Sequence, residues 1–95
     1  MRLSVLYFAR LRDAIGLSGE DIEVPADVTT VGELRAWLAQ RGTPWSAAFA
    51  EVRAIRAAMN QTIAADATRL RDGAEVAFFP PVTKRISSMP AFTSV

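Results

Sequence analysis

Ninety-five residues, 51% hydrophobic and 22% charged, with no cysteine and no histidine, describe a chain with room for one small core and no second domain. The missing residue types exclude a disulfide framework, a thiol nucleophile, an iron–sulfur cluster, cysteine or histidine metal sites, an imidazole base and a serine–histidine relay. The formal net charge of +1 marks no basic face: through residue 83 nine arginines stand against ten carboxylates, a balance of −1, and the excess is the adjacent pair Lys84 and Arg85.

The elements follow in chain order. Leu3 to Phe8 is rich in β-formers, with Leu3, Val5 and Tyr7 on one side and Leu6 and Phe8 on the other, a pattern that predicts an interior strand buried on both faces. Ala9 to Ile15 then predicts a two-turn helix, with Leu11 and Ile15 four apart and Gly16 as its C-cap. Asp21 to Val24 alternates and stops at Pro25, so it predicts a strand pairing with the first. Thr30 and Glu33 form a capping box ahead of Val31, Leu34, Trp37 and Leu38, the apolar stripe of the main helix, which Gly42 is expected to close.

Thr43, Pro44 and Trp45 read as an N-cap with proline at the first helical position, opening a brief helical turn through Phe49. A strand is expected over Val52 to Met59, a tight turn at Asn60-Gln61, a short strand over Thr62 to Ala64, a second turn at Asp72-Gly73, and a final apolar strand over Glu75 to Phe79. Pro80 and Pro81 end that strand because neither can donate to a ladder. This order predicts an α+β domain over residues 1–82, one sheet with one principal helix across it, and an exposed tail over residues 83–95.

No catalytic site can be assembled from spacing alone. Glu20, Asp21 and Glu23 are the densest carboxylates and read as a solvated strand face rather than a metal or acid–base site. Trp37 is expected in the core, and Trp45 there or at an interface. The alternation of Phe78 and Phe79 sends one ring inward and the other outward, where an exposed ring beside rigid prolines suits a partner anchor. No apolar run approaches the roughly 18 residues needed to cross a bilayer, and the first ten residues lack a signal peptide's pattern. A cytoplasmic protein without membrane or nucleic-acid partners is expected.

The run Asp72-Gly73-Ala74-Glu75-Val76-Ala77-Phe78-Phe79-Pro80-Pro81-Val82-Thr83, with Leu70 and Asn60-Gln61 before it and the opening Val5-Leu6-Tyr7-Phe8-Ala9-Arg10-Leu11-Arg12, resembles the molybdopterin synthase small-subunit family over about residues 1–83. The resemblance implies a ubiquitin-like β-grasp fold with one mixed sheet of about five strands. It also implies a non-catalytic sulfur carrier that holds no cofactor. In that family an adenylating, E1-like enzyme activates a C-terminal Gly-Gly carboxylate with ATP, sulfur replaces AMP, and the thiocarboxylate enters the large subunit to supply dithiolene sulfur. The resemblance further implies that Phe79, Pro80, Pro81, Val82 and Thr83 meet the partner.

Lys84 and Arg85 stand where that family carries Gly-Gly, so the chain as written is expected not to transfer sulfur. Two alternatives are a non-catalytic ubiquitin-like interaction module and the thiamine-pathway sulfur carrier.

Overall fold

The computed structural model describes residues 1–52 and 54–81; Val82, Thr83, Lys84, Arg85 and the rest of the expected tail lie outside the described residues. The described elements run β1 (Arg2–Tyr7), α1 (Ala9–Ile15), β2 (Gly19–Glu23), α2 (Val31–Ala39), α3 (Trp45–Glu51), β3 (Arg56–Met59), β4 (Thr62–Ala64) and β5 (Glu75–Phe79). They build one five-stranded sheet in the order β2-β1-β5-β3-β4. The only parallel pair in it is β1 with β5, and the other neighbours are antiparallel.

The alternation of each strand sorts its side chains onto two faces. Leu3, Val5 and Tyr7 of β1, Val76 and Phe78 of β5, Ala57 of β3 and Ile22 of β2 point inward. They form one buried cluster with Leu11 and Ile15 of α1, Val31, Leu34 and Leu38 of α2, and Ala48 of α3. All three helices therefore contribute to the same side of the sheet, and among the described residues the opposite side carries no helical layer. Phe78 is fully buried, and Phe49 meets its ring edge-on at 5.6 Å and 84°.

Local chemistry accounts for the boundaries. The Glu33 backbone N–H donates to the Thr30 hydroxyl at 3.2 Å, and the Glu33 carboxylate accepts from the Thr29 and Thr30 N–H groups at 2.7 and 3.2 Å. The capping box at the start of α2 is thus formed on both sides, a feature worth about 1 kcal/mol. These bonds, the Thr29 backbone N–H first and its hydroxyl second, hold the Glu33 carboxyl below the ordinary glutamate range. A carboxylate depressed in the folded state stabilises at pH above its unfolded value, and that contribution fades as pH falls through the folded one. Thermal midpoints of the chain and of Glu33→Gln, compared between pH 7 and acid, should therefore differ most near neutrality and converge below the ordinary glutamate range.

Gly16 closes α1 at φ 88, as expected of a left-handed C-cap. Asn60 and Gln61 both take positive φ, 50 and 70, which makes the two-residue turn joining β3 to β4. Asn60 also accepts from the Glu75 N–H through its side chain (3.0 Å) and donates its own N–H to the Glu75 carbonyl (2.8 Å), which ties this turn to β5.

Several expectations are corrected. β3 begins at Arg56, not Val52, because α3 continues to Glu51, Val52 caps it, and Ala54 at φ 52 breaks any extended run. Pro44 is the N-cap of α3, so the helix starts one residue later than expected. Gln40 rather than Gly42 caps α2. β2 starts at Gly19 and ends at Glu23, so Ile22 is its buried apolar residue and Val24, also buried, lies just past its end. β1 is interior but not buried on both faces: Leu6 is only half-buried and Phe8 is 45% exposed.

Candidate functional site

Two sets of side chains merit a functional reading, one at the α2–α3 end and one on the uncovered face of the sheet. At the first, three donors converge on the Oε2 atom of Glu20: the Tyr7 hydroxyl at 2.7 Å, Arg41 Nη1 at 2.9 Å and Trp45 Nε1 at 3.2 Å. The Arg41 guanidinium lies 4.1 Å from the Trp45 ring centre and 5.6 Å from that of Trp37, so one cation is stacked by two indoles and paired with one carboxylate. Burial first, and then the bond to Glu20, push the Tyr7 phenol above its usual range and keep it a donor.

This cluster fastens the α2–α3 connection to β2. Its carboxylate spends its acceptor capacity inside the fold, and the arrangement is a structural tie. The expectation that Glu20 belongs to a solvated face is thus corrected, and Trp37 is half-buried beneath Arg41 rather than inside the core. Asp21 is exposed and accepts from the Ser4 hydroxyl at 2.7 Å. Among the described residues no three carboxylates come together as a metal cage.

A hollow of about 330 Å³ between α2 and α3 is lined by Arg35, Phe49 and Asp66 among others, with Arg35 ion-paired to Asp66. Another of about 300 Å³ beside α1 is lined by Arg10, Asp13 and Glu51. Neither brings a nucleophile to a base.

The uncovered face is different in kind. Register and alternation place Ser4 and Leu6 of β1, Ala77 and Phe79 of β5, Arg56 and Ala58 of β3 and Ile63 of β4 on it. Leu6 pairs with Ala77, Ala77 with Ala58 and Ala58 with Ile63, an apolar row across four strands. Ile63 is 68% exposed, which no core requirement explains. Gly19 stands beside Leu6 at the β2 end of the row, and a Cβ there would lie 2.8 Å from Leu6 Cδ2, so only glycine leaves Leu6 its position.

At the end of β1, Ala9 takes φ 54 and turns the chain abruptly into α1, a left-handed conformation costing roughly 1 kcal/mol outside glycine. The turn leaves Phe8 in solvent while its N–H donates to the Phe78 carbonyl at 3.1 Å. Phe8 therefore stands at the end of the sheet where Phe79, Pro80 and Pro81 leave β5. Phe79 and Pro80 are half-buried and Pro81 is exposed, and the chain continues from there into Val82 and Thr83, outside the described residues.

Reading the sequence alone singles out Phe79, Pro80 and Pro81 but misses Leu6, Phe8, Ala58, Ile63 and Ala77. The signal for Ile63 is present: two residues of turn between Met59 and Thr62 set the pairing of Ala58 with Ile63, and Ala58 alternates against the inward Ala57. Leu6 and Phe8 are misread because an all-apolar strand carries no mark of which face lacks a cover.

A mixed five-stranded sheet with its helices on one face and a final strand leading out beside the other define a ubiquitin-like β-grasp domain. The chain belongs to the ThiS family, whose pattern matches residues 5–83. It is 42% identical over 81 residues to the molybdopterin synthase sulfur carrier subunit of Escherichia coli (strain K12), covering 85% of this chain and 96% of that one.

Among solved structures, a Pyrococcus furiosus protein assigned as molybdopterin converting factor subunit 1 superposes with a TM-score of 0.72 at 28% identity, covering 86% of this chain and 99% of that one. A chain of the complex of molybdopterin-converting factor subunits 1 and 2 from Helicobacter pylori 26695 superposes with a TM-score of 0.59 at 25% identity, covering 87% of this chain and 97% of that one. No helix among the described residues is long and apolar enough to cross a membrane.

Proposed function

We propose that this chain is the small, carrier-type subunit of a molybdopterin synthase, working in the cytoplasm and docking on the large subunit through the uncovered face of its sheet, and that as written it does not transfer sulfur, because Lys84 and Arg85 replace the family's Gly-Gly. The observation that carries the reading is the apolar row Leu6–Ala77–Ala58–Ile63, continued by Phe8 and Phe79 to the place where the chain leaves β5. A carrier must hold its body against the partner while its terminus reaches into the partner's active site. An interface beside the exit of the last strand meets that need, with Pro80 and Pro81 restricting the direction in which the chain departs. The Helicobacter pylori complex and the 42% identity to the Escherichia coli carrier support the same partner and the same cargo. The relatives do not favour a thiamine-pathway carrier or an interaction module with another role.

The chemistry is borrowed. A carboxylate is a poor acyl donor until its oxygen becomes part of a good leaving group. An adenylating, E1-like partner supplies that by joining the carboxylate to the AMP of ATP with release of pyrophosphate, after which a sulfide-level sulfur nucleophile attacks the acyl carbon and AMP leaves, giving the thiocarboxylate. No base, metal or cofactor on the carrier enters these steps, which suits a chain without histidine or cysteine. Of the partner-facing set, Phe79, Pro80 and Pro81 lie at the edge of the docking face, and Val82 and Thr83 lead onward to the terminus.

Replacing Phe79 by Asp should weaken the complex with the large subunit at least about 30-fold, because an aromatic anchor buried on binding is worth about 2 kcal/mol or more. The half-buried outer position should leave the circular dichroism spectrum unchanged. Isothermal titration against the large subunit checks this; equal affinities of the two chains would count against the docking face.

A further inference from the structure

The uncovered face is complementary to itself. On one side of the apolar row stand Phe79 and its register partner Arg56. On the other stand Glu75 and its register partner Ser4, with Asp21 beside Ser4. Arg56 is exposed, and neither it nor Glu75 belongs to an ion pair among the described residues. One edge of the face is thus positive and the other negative, with Leu6, Ala77, Ala58 and Ile63 between them.

We propose that the free chain pairs with a second copy of itself, uncovered face to uncovered face, about a two-fold axis running along the Leu6–Ile63 row. That axis lays row upon row. The small Ala77 and Ala58 at its middle let the sheets approach, and Leu6 and Ile63 fill the space on either side. It also turns the Phe79–Arg56 edge of each copy onto the Glu75–Ser4 edge of the other.

Arg56 then sits one strand spacing, about 4.8 Å, to the side of the second copy's Glu75, and the two side chains bridge the roughly 10 Å between packed sheets. The symmetry forms this pair twice. A two-fold axis along the strands would instead set Arg56 toward Arg56, so the charges select the first arrangement. Pairing covers Ile63 and Phe79, the residues left most exposed or anchoring on that face. The consequence for docking rests on the function proposed above: the free carrier hides its own docking face, and the large subunit must compete with a second copy for it.

Sedimentation velocity of the full chain across micromolar to millimolar concentration is the test, with titration against the large subunit run in parallel. The weight-average mass should rise toward the dimer, and Ile63→Asp should hold the chain monomeric. Arg56→Glu should weaken self-association, and the double variant Arg56→Glu with Glu75→Arg should restore it, since each copy then carries the exchanged pair. Dilution of the dimer should tighten the apparent affinity for the large subunit. A chain that stays monomeric throughout, or a dimer indifferent to Ile63→Asp and to the charge exchange, overturns the self-pairing. A monomer that still binds the large subunit leaves the carrier reading intact, and a dimer that never binds it refutes that reading alone. Circular dichroism verifies that each exposed substitution is folded.

Discussion

A version of the chain ending Thr83-Gly-Gly should gain a thiocarboxylate when incubated with the adenylating enzyme, ATP and a sulfur donor, and the chain carrying Lys84 and Arg85 at those positions should not. Intact-mass measurement reads the difference as the exchange of one oxygen for one sulfur. The effect should be all-or-none, because on the carrier reading proposed above the terminal carboxylate itself has to reach the α-phosphate of ATP. Two glycines admit the backbone where side chains obstruct it and restrict its conformations. Arginine and lysine add long, charged side chains at that point. Complex formation with the large subunit should survive in both versions, since the proposed docking face lies within residues 6–81. A thiocarboxylate on the chain with Lys84 and Arg85 would show that the glycines are dispensable here.

Truncating Phe78 to Ala should unfold most of the molecules or lower the thermal midpoint by about 12–40 °C. The ring is fully buried at the centre of the sheet, between the register partners Tyr7 and Ala57, with Phe49 against its edge. Removing a buried phenylalanine costs about 3–5 kcal/mol, out of a total of about 5–15 kcal/mol for a domain, and each kcal/mol moves the midpoint by about 4–8 °C at this size. The adjacent Phe79→Ala, on the other face, should cost about 1 kcal/mol or less in stability and appear instead in the affinity for the large subunit. Scanning calorimetry of the two variants separates the roles; equal losses of stability would show that both rings serve the core.

The contrast between these neighbours also shows how far reading along the chain carries. Alternation over five residues separates the two rings of β5 into opposite faces, and the prolines after them mark where pairing stops. It does not say that the face receiving Phe79 lacks a cover. That depends on all three helices contributing to the same side, a property of packing and not of any one segment. The same gap explains the misreading of Leu6 and Phe8, and the overlong strand expected from Val52: apolar residues there serve the end of α3 and the approach to β3 as readily as a strand.

The cluster on Glu20 marks the limit most clearly. Each of its members reads plausibly alone, as a surface carboxylate, a core tyrosine, a loop arginine and an interfacial tryptophan. Their convergence at 2.7 to 3.2 Å joins β1, β2 and the two ends of the α2–α3 connection.

The sequence by itself determined the local devices: the capping box at Thr30 and Glu33 and the turns at Asn60-Gln61 and Asp72-Gly73. Each depends on residues a few positions apart, whose geometry is set by short-range sterics and hydrogen bonds. Tertiary structure alone decided which face of the sheet the described helices leave uncovered, and the Glu20 tie. β1 pairs with β5 across a separation of 71 residues, from Ser4 to Glu75 (75 − 4 = 71), and Trp45 reaches Glu20 across 25. Such contacts form only after the loop-closure entropy between them has been overcome by burial of the common core, so no single segment encodes them.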